Sequence, residues 1–382
     1  MRVLTFLHSF EPGGVERVAL RLVAHWRALG VEAPLFMGRE DGPLRAELAS
    51  GLAYDVPRQP RFGSGWWETL WMIVTLPAAI RRHRPDVLFC AGSTYTIVAV
   101  AMKLLLGRAC PPVVAKISND VARRDLPAPA RLSWRLWLRV QARIIDRWIV
   151  MEEAMVADVR AGVGAVRYAV VPDPAISMAQ IAPRPPRAVR APEEGRRFVA
   201  IGRLAAQKDY PLMLAAFAGG STPADRLTIY GGGPLEARLR ALAADLGIAG
   251  RVTFAGHVAD AAARLAEHDI YLLSSAYEGV PAVLVEALAC GLPIVATACG
   301  PGVDGVLDHG RLGRIVARDA DALAVAIAAA RRCTRIDPAA HAQAQRFTIE
   351  ASAGAYLAAF DTACENARST IPSPATIKKA LT

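Results

Sequence analysis

Two rounds of alternation between short apolar segments and longer helix-forming ones limit this chain more than any other feature of its sequence. In the first half Arg2–Leu7, Val31–Met37, Asp86–Ala91, Pro112–Ile117 and Asp146–Met151 read as strands with helical stretches between them. In the second half Arg197–Gly202, Arg226–Gly231, Arg251–Ala255, Ile270–Ser275, Pro293–Thr297 and Gly313–Ala317 repeat the grammar. Such a pattern suits parallel strands with helices between them, so each half predicts a doubly wound α/β sheet. Between the halves runs APRPPRAVRAP, residues 182–192, which continues neither pattern and reads as a stiff linker. The expected organisation is a first domain over 1–175, a linker over 176–195 and a second domain over 196–348. A helix over 349–365 then rejoins the first domain, and a flexible tail covers 366–382. Two such domains leave a cleft between them.

Composition narrows the class. With 53% hydrophobic residues the chain is a compact globular protein rather than a disordered one. Its formal charge of +10 favours anionic partners such as phosphates, nucleic acid or an acidic lipid surface. The 6 cysteines are scattered without a CxxC pair, a reduced cytoplasmic pattern rather than a disulfide framework. The apolar run at the N-terminus is too short for a signal peptide. The stretches Leu70–Ile80 and Tyr95–Leu106 are too short to span a bilayer, so a soluble or peripheral protein of the cytoplasm is expected.

The stretch SSAYEGVPAVLVEALACGLPIVAT, residues 274–297, holds Glu278 and Glu286 in an otherwise apolar run. Unpartnered buried carboxylates are costly, so core packing does not choose them. Ile270–Ser275 reads as a strand, Pro281 as a first-turn residue, Ala282–Cys290 as a helix stopped by Gly291, and Pro293–Thr297 as the next strand. Glu278 then lies at the C-terminal end of a parallel strand, where open α/β sheets bind ligands, and Glu286 lies farther along the following helix.

The other strands of the second half end in kindred chemistry. GRLAAQK supplies Gly202, Arg203 and Lys208; GGGP supplies Gly232 and Gly233; Gly256-His257 and CGPG follow later strands. Glycines let backbone amides approach phosphate, helix N-termini favour anions, cations neutralise a diphosphate, and carboxylates accept hydrogen bonds from vicinal hydroxyls. Together they fit a nucleotide joined to a sugar. Asp319-Ala320-Asp321 has the form of a metal-binding DxD, but Asp319 directly precedes a helical pattern and reads as an N-cap. No histidine spacing suggests a metal site, and no cofactor is implied.

The run EGVPAVLVEALACGLPIVAT, with GRLAAQKD at 202–209, GGP at 232–234 and FAG at 254–256, resembles the signature of retaining glycosyltransferase family 4. Gly13-Gly14-Val15-Glu16-Arg17 is similar to that family's first glycine loop. The resemblance implies a GT-B fold, two Rossmann-like domains facing across a cleft. It also implies a metal-independent enzyme that moves a sugar from a UDP- or GDP-sugar to a glycan or lipid-linked acceptor in surface polysaccharide or glycolipid synthesis. Residue by residue it assigns Arg203 and Lys208 to the donor diphosphate, Glu286 to the ribose hydroxyls and Glu278 to the transferred sugar. Gly14, Gly202, Gly232, Gly233, Gly279, Val280 and Pro281 would line the donor site, with Gly256, His257 and Val258 at the nucleobase. Where many members carry His-Asp, this chain has Asn119-Asp120, and an amide cannot relay a proton. Asn119, Asp120 and His8 are therefore the acceptor-side candidates, while Asp173 reads as a hinge residue.

Alternative readings are a GT-B epimerase or hydrolase of nucleotide sugars and a basic nucleic-acid-binding protein. The second lacks interleaved aromatic and basic residues, so no nucleic-acid partner is expected. An anionic membrane surface is a further expected partner. Arg131, Arg135, Arg139, Arg143 and Arg147 fall at helical spacing over 131–148 with Trp134, Trp137 and Trp148 among them, and Trp66, Trp67 and Trp71 precede them.

Overall fold

The computed structural model describes residues 1–369 except 12, 61–62, 119–120, 122, 124–125, 182–193, 259 and 333–336. Its first sheet takes up β1 (Val3–Leu7), β2 (Leu35–Met37), β3 (Val87–Cys90), β4 (Val113–Ile117), β5 (Arg147–Val150) and β6 (Tyr168–Val170). All neighbours are parallel, in the order β2-β1-β3-β4-β5-β6. The connecting helices are α1 (Gly14–Ala28), α2 (Leu44–Leu48), α3 (Glu68–His83), α4 (Thr96–Leu106), α5 (Ala128–Ile144) and α6 (Val156–Val163). Val18, Leu22 and Trp26 recur one turn apart on α1 and form its buried face. Strand β6 is absent from the sequence reading because it is only three half-buried residues long and lies at the sheet edge, too short a stretch to show a strand pattern.

The second sheet comprises β7 (Arg197–Ile201), β8 (Arg226–Tyr230), β9 (Val252–Gly256), β10 (Ile270–Leu273), β11 (Ile294–Thr297) and β12 (Arg314–Val316). It is also parallel, ordered β12-β11-β10-β7-β8-β9. Its helices are α7 (Tyr210–Gly220), α8 (Glu236–Asp245), α9 (Ala282–Ala289), α10 (Pro301–Val306), α11 (Ala320–Ala329) and α12 (Pro338–Gln345). Asp319 caps α11 by accepting from the Ala322 amide at 2.9 Å.

The chain crosses between the domains twice, and the crossings hold one another. The Ala175 and Ile176 amides donate to the Phe347 carbonyl at 3.0 and 3.3 Å, and the Ile349 amide donates to the Ile176 carbonyl at 2.8 Å. Phe347 packs in the second domain's core and Ile349 in the first domain's. From there α13 (Ile349–Ser369) lies on the first domain, where Phe360 meets Trp26 at 5.4 Å and Tyr356 meets Phe89 at 5.6 Å. The helix runs into the segment expected to be a tail, because Ala367 and Arg368 continue it readily after the buried Ala363 and Cys364.

The expected five-arginine stripe over 131–148 is cut short. Helix α5 ends at Ile144, Arg147 opens β5, and Trp148 is buried in the core. Asp146 anchors this turn, accepting from the Val113 amide at 2.6 Å.

Lys116 on β4 is 1% exposed and meets Asp173 of the first crossing, 7% exposed, at 2.7 Å. Removing one partner of a buried ion pair leaves the other charge uncompensated, which typically costs roughly 3–5 kcal/mol. Lys116→Met should therefore lower the unfolding free energy by about that much, and adding Asp173→Leu should recover most of it. A loss under about 1 kcal/mol in Lys116→Met, read by denaturant unfolding, contradicts this role for the pair.

Candidate active site

In an open parallel sheet the loops diverge to opposite faces where strand order reverses, leaving a crevice at the strands' C-terminal ends. In the second sheet that point lies between β7 and β10. The loops there carry Gly202 to Lys208 and Ser274 to Pro281. The Lys208 Nζ lies 2.6 Å from Glu278 Oε1, and the Ser275 hydroxyl donates to the same oxygen at 2.7 Å. This is how a carboxylate only 7% exposed is tolerated in an apolar run. The Ser274 hydroxyl donates to the Lys208 carbonyl at 2.7 Å, Gln207 Nε2 to the Tyr277 carbonyl at 3.1 Å, and the Ala276 amide to the Gln207 carbonyl at 2.7 Å. The two loops form one braced unit. Gln207, Ser274 and Ser275 were missed in the sequence, although both serines directly follow the strand that delivers Glu278. Arg203 is exposed.

The glycines are sites of close approach. A Cβ on Gly231, whose φ is +138°, would lie 2.0 Å from the Gly202 carbonyl oxygen. One on Gly233 would lie 2.5 Å from that of Leu204, whose amide donates to the Gly232 carbonyl at 2.9 Å. The Gly231 amide donates to the Gly256 carbonyl at 2.8 Å. The turns after β7, β8 and β9 thus stack edge to edge, and only glycine permits it.

Helix α9 starts after Pro281 and is stopped by Gly291, at φ +66°. It carries Glu286, half-buried, across from Arg17 and Arg21 on α1. Burial pushes the Glu286 carboxyl above the ordinary carboxylate range, while the two guanidinium groups pull it down against Asp260. Neither arginine was singled out in the sequence, although Arg17 stands in the first glycine loop and Arg21 lies one turn later on the same helix.

The first domain closes over this edge. A Cβ on Gly279 would sit 2.5 Å from the Ser118 carbonyl oxygen, and Val280 packs against the cores of both domains. His257, 53% exposed, has Nε2 3.8 Å from Glu47 of α2, while Val258 packs on the second core. Glu152, after β5, rests against Gly305 of α10 and lies 3.3 Å from Arg346.

The first sheet reverses between β1 and β3, and His8 lies in that crevice. Its ring lies 4.7 Å from that of Tyr95, whose hydroxyl donates to Glu16 at 2.5 Å. His8 Nδ1 faces Glu68 at 3.6 Å, and Glu68 also pairs with Arg39 at 2.9 Å. Burial lowers the His8 pKa, with Arg39 acting in the same direction and Glu68 opposing. His8 Nε2 is buried and has no hydrogen-bond partner among the described residues. Gly14 opens α1 beside this crevice. Asn119 and Asp120 lie outside the described residues.

Breaking the braced pair gives a direct test. Lys208→Met and Glu278→Gln should each destabilise the protein more than expected from their effects in the double variant, with a coupling of roughly 1 kcal/mol or more. Additive melting shifts would show that the two groups do not depend on each other.

Two doubly wound domains closed face to face, with cations, carboxylates and glycine turns on one sheet edge, define a GT-B architecture. Comparison with known proteins places it. Residues 12–174 match the model of Glycosyltransferase Family 4, and residues 195–331 match that of Glycosyl transferases group 1. The chain belongs to glycosyltransferase family 4. An uncharacterized glycosyltransferase of Haemophilus influenzae is 36% identical over 118 residues, 30% of this chain and 33% of that one. The matches to several curated relatives span a third or less of their length. A GDP-mannose-dependent alpha-mannosyltransferase of Mycobacterium tuberculosis is 28% identical over 329 residues, 81% of this chain and 82% of that one. The crystal structure of Anabaena HepE in complex with UDP shares the fold at a TM-score of 0.74 and 19% identity, covering 95% of this chain and 100% of that one.

Proposed function

We propose that the protein transfers a sugar from a UDP- or GDP-sugar to a glycan or lipid-linked acceptor with retention of configuration and without a metal. The observation that carries this reading is the Lys208–Glu278 pair at the switch point of the second sheet, with Glu286 on the helix that follows. Lys208 and Arg203 serve the diphosphate, and their charge stabilises it most as the anomeric C–O bond breaks. The acceptor oxygen attacks from the same face, and its proton passes to the departing phosphate oxygen. Glu278 faces the transferred sugar and Glu286 the ribose. Its contact with Lys208 gives Glu278 a second role, placing that cation. His8, held neutral by burial and with Nε2 unpartnered, suits the acceptor hydroxyl as an uncharged hydrogen-bond acceptor. Relatives described as GDP-mannose-dependent, and a structural neighbour solved with UDP, support the donor class.

Lys208→Ala or Arg203→Ala should reduce turnover by roughly 10²-fold or more in buffer containing EDTA. Glu286→Ala should weaken binding of both the free nucleoside diphosphate and its sugar, while Glu278→Ala should spare the free diphosphate and abolish transfer. Calorimetry with both ligands, and assays of donor consumption with and without acceptor, check these outcomes. Unchanged turnover in the cation variants contradicts the reading. Donor consumption that needs no acceptor favours the epimerase or hydrolase.

The acceptor side adds a surface. Among the described residues no helix is long and apolar enough to cross a membrane. Helix α5 nevertheless exposes Leu132, Leu136 and Val140 beside Arg135, Arg139 and Arg143, and the neighbouring α4 exposes Leu104 and Leu105. We read this face as docking on an anionic leaflet, where each cation contributes about 1 kcal/mol. Trp66 is exposed, whereas Trp134 and Trp148 are drawn inward. The protein should co-sediment with anionic liposomes, less so as salt rises. No binding at low ionic strength would assign the face to solvent.

A further inference from the structure

The first domain's helix α1 presents guanidinium groups to the donor crevice. Arg21 is half-buried, and its Nη1 donates to the Ala175 carbonyl, in the crossing between domains, at 2.5 Å. Arg17 is already engaged by Glu47 at 3.0 Å. A guanidinium has five N–H donors, so Arg21 keeps others for a ligand. Opposite it, the half-buried Glu286 carboxylate takes no hydrogen bond from any described residue. Ala175 belongs to the same core cluster as Leu284, Val285 and Leu288 of α9, the helix that carries Glu286, so the Arg21 anchor sets α1 beside α9. The two opposite charges act on each other there, and they do not close into an ion pair. The two domains also approach nearby, where Glu47 of α2 lies 3.8 Å from His257 after β9. A space with an acceptor on one wall and donors on the other selects its occupant. An anion is repelled by Glu286 and a cation by Arg21. A hydroxyl, which donates and accepts at once, satisfies both, and two vicinal hydroxyls match a carboxylate facing a planar fork.

We propose that Arg21 is the first domain's contribution to the donor site, clamping the vicinal hydroxyls of the ribose against Glu286. Each hydroxyl donates to the Glu286 carboxylate and accepts an N–H from Arg21. The inference rests on the nucleotide-sugar reading above and adds two consequences. The ribose becomes a bridge between the domains, and the Arg21 contact with Ala175 ties its presence to the crossing about which the domains move. Discrimination between ribose and 2′-deoxyribose then depends on a residue outside the nucleotide-binding domain.

The test is calorimetry of the full chain with UDP, GDP and their 2′-deoxy counterparts, for the wild type and for Glu286→Gln, Arg21→Met and Arg21→Lys. Hydrogen bonds to charged groups contribute enough that wild type should prefer the ribonucleotide by roughly 10-fold or more. Glu286→Gln and Arg21→Met should each bring that ratio towards unity. Arg21→Lys, which keeps the charge and the backbone anchor but loses the fork, should give an intermediate ratio and serves if Arg21→Met does not fold. If the arginine variants keep the wild-type ratio while Glu286→Gln loses it, the nucleotide site stands and the Arg21 clamp is overturned. If neither UDP nor GDP binds the wild type, the underlying donor reading falls and the clamp with it.

Discussion

Lys208 and Glu278 meet where the second sheet reverses its strand order, and the candidate site is arranged around that contact. A carboxylate at the end of a buried strand needs a partner, and a lysine beside an apolar core needs a counter-charge. Each satisfies the other, and Ser275 adds a hydrogen bond to the shared oxygen. The pair also splices two loops that are distant in sequence but adjacent in space. Hydrogen bonds from Gln207 and Ser274 then remove much of the remaining freedom. The result is a rigid edge that holds both signs of charge before a ligand arrives, which preorganised electrostatic stabilisation requires.

The two domains make this edge a closed site. Their cores are separate, but the chain crossings at Ala175–Ile176 and Phe347–Ile349 are hydrogen-bonded to each other. Lys116 and Asp173 add a buried ionic tie to the first crossing, and α13 returns to cover the first sheet. In this arrangement α1, with Arg17 and Arg21, stands beside α9, with Glu286. Under the proposed function, a cleft closed in this way would exclude water from a hydrolysable donor.

The strand–helix alternation was legible because parallel strands buried on both faces are written as unbroken apolar runs. The glycine, cation and carboxylate cluster was legible because strand ends map to one sheet edge. Four things were not. Strand β6 is held by pairing with β5 rather than by its own pattern. The stripe of arginines looked continuous because helical spacing says nothing of where α5 gives way to β5, a boundary set by pairing with β4. The facing of Arg21 and Glu286 depends on how two domains close, and no local pattern encodes that. The direct pairing of Lys208 with Glu278 also lies beyond sequence, since both were assigned to different parts of the ligand.

The most direct test of the account is hydrogen exchange on the full chain, read peptide by peptide with and without UDP or GDP. Nucleotide held between the edge after β7 and β10 and the opposing α1 should slow exchange in 202–209, 231–234 and 278–289, and in α1 as well. Protection confined to the first domain's crevice, or spread evenly over both sheets with no change in those segments, would contradict a donor site built on the Lys208–Glu278 edge.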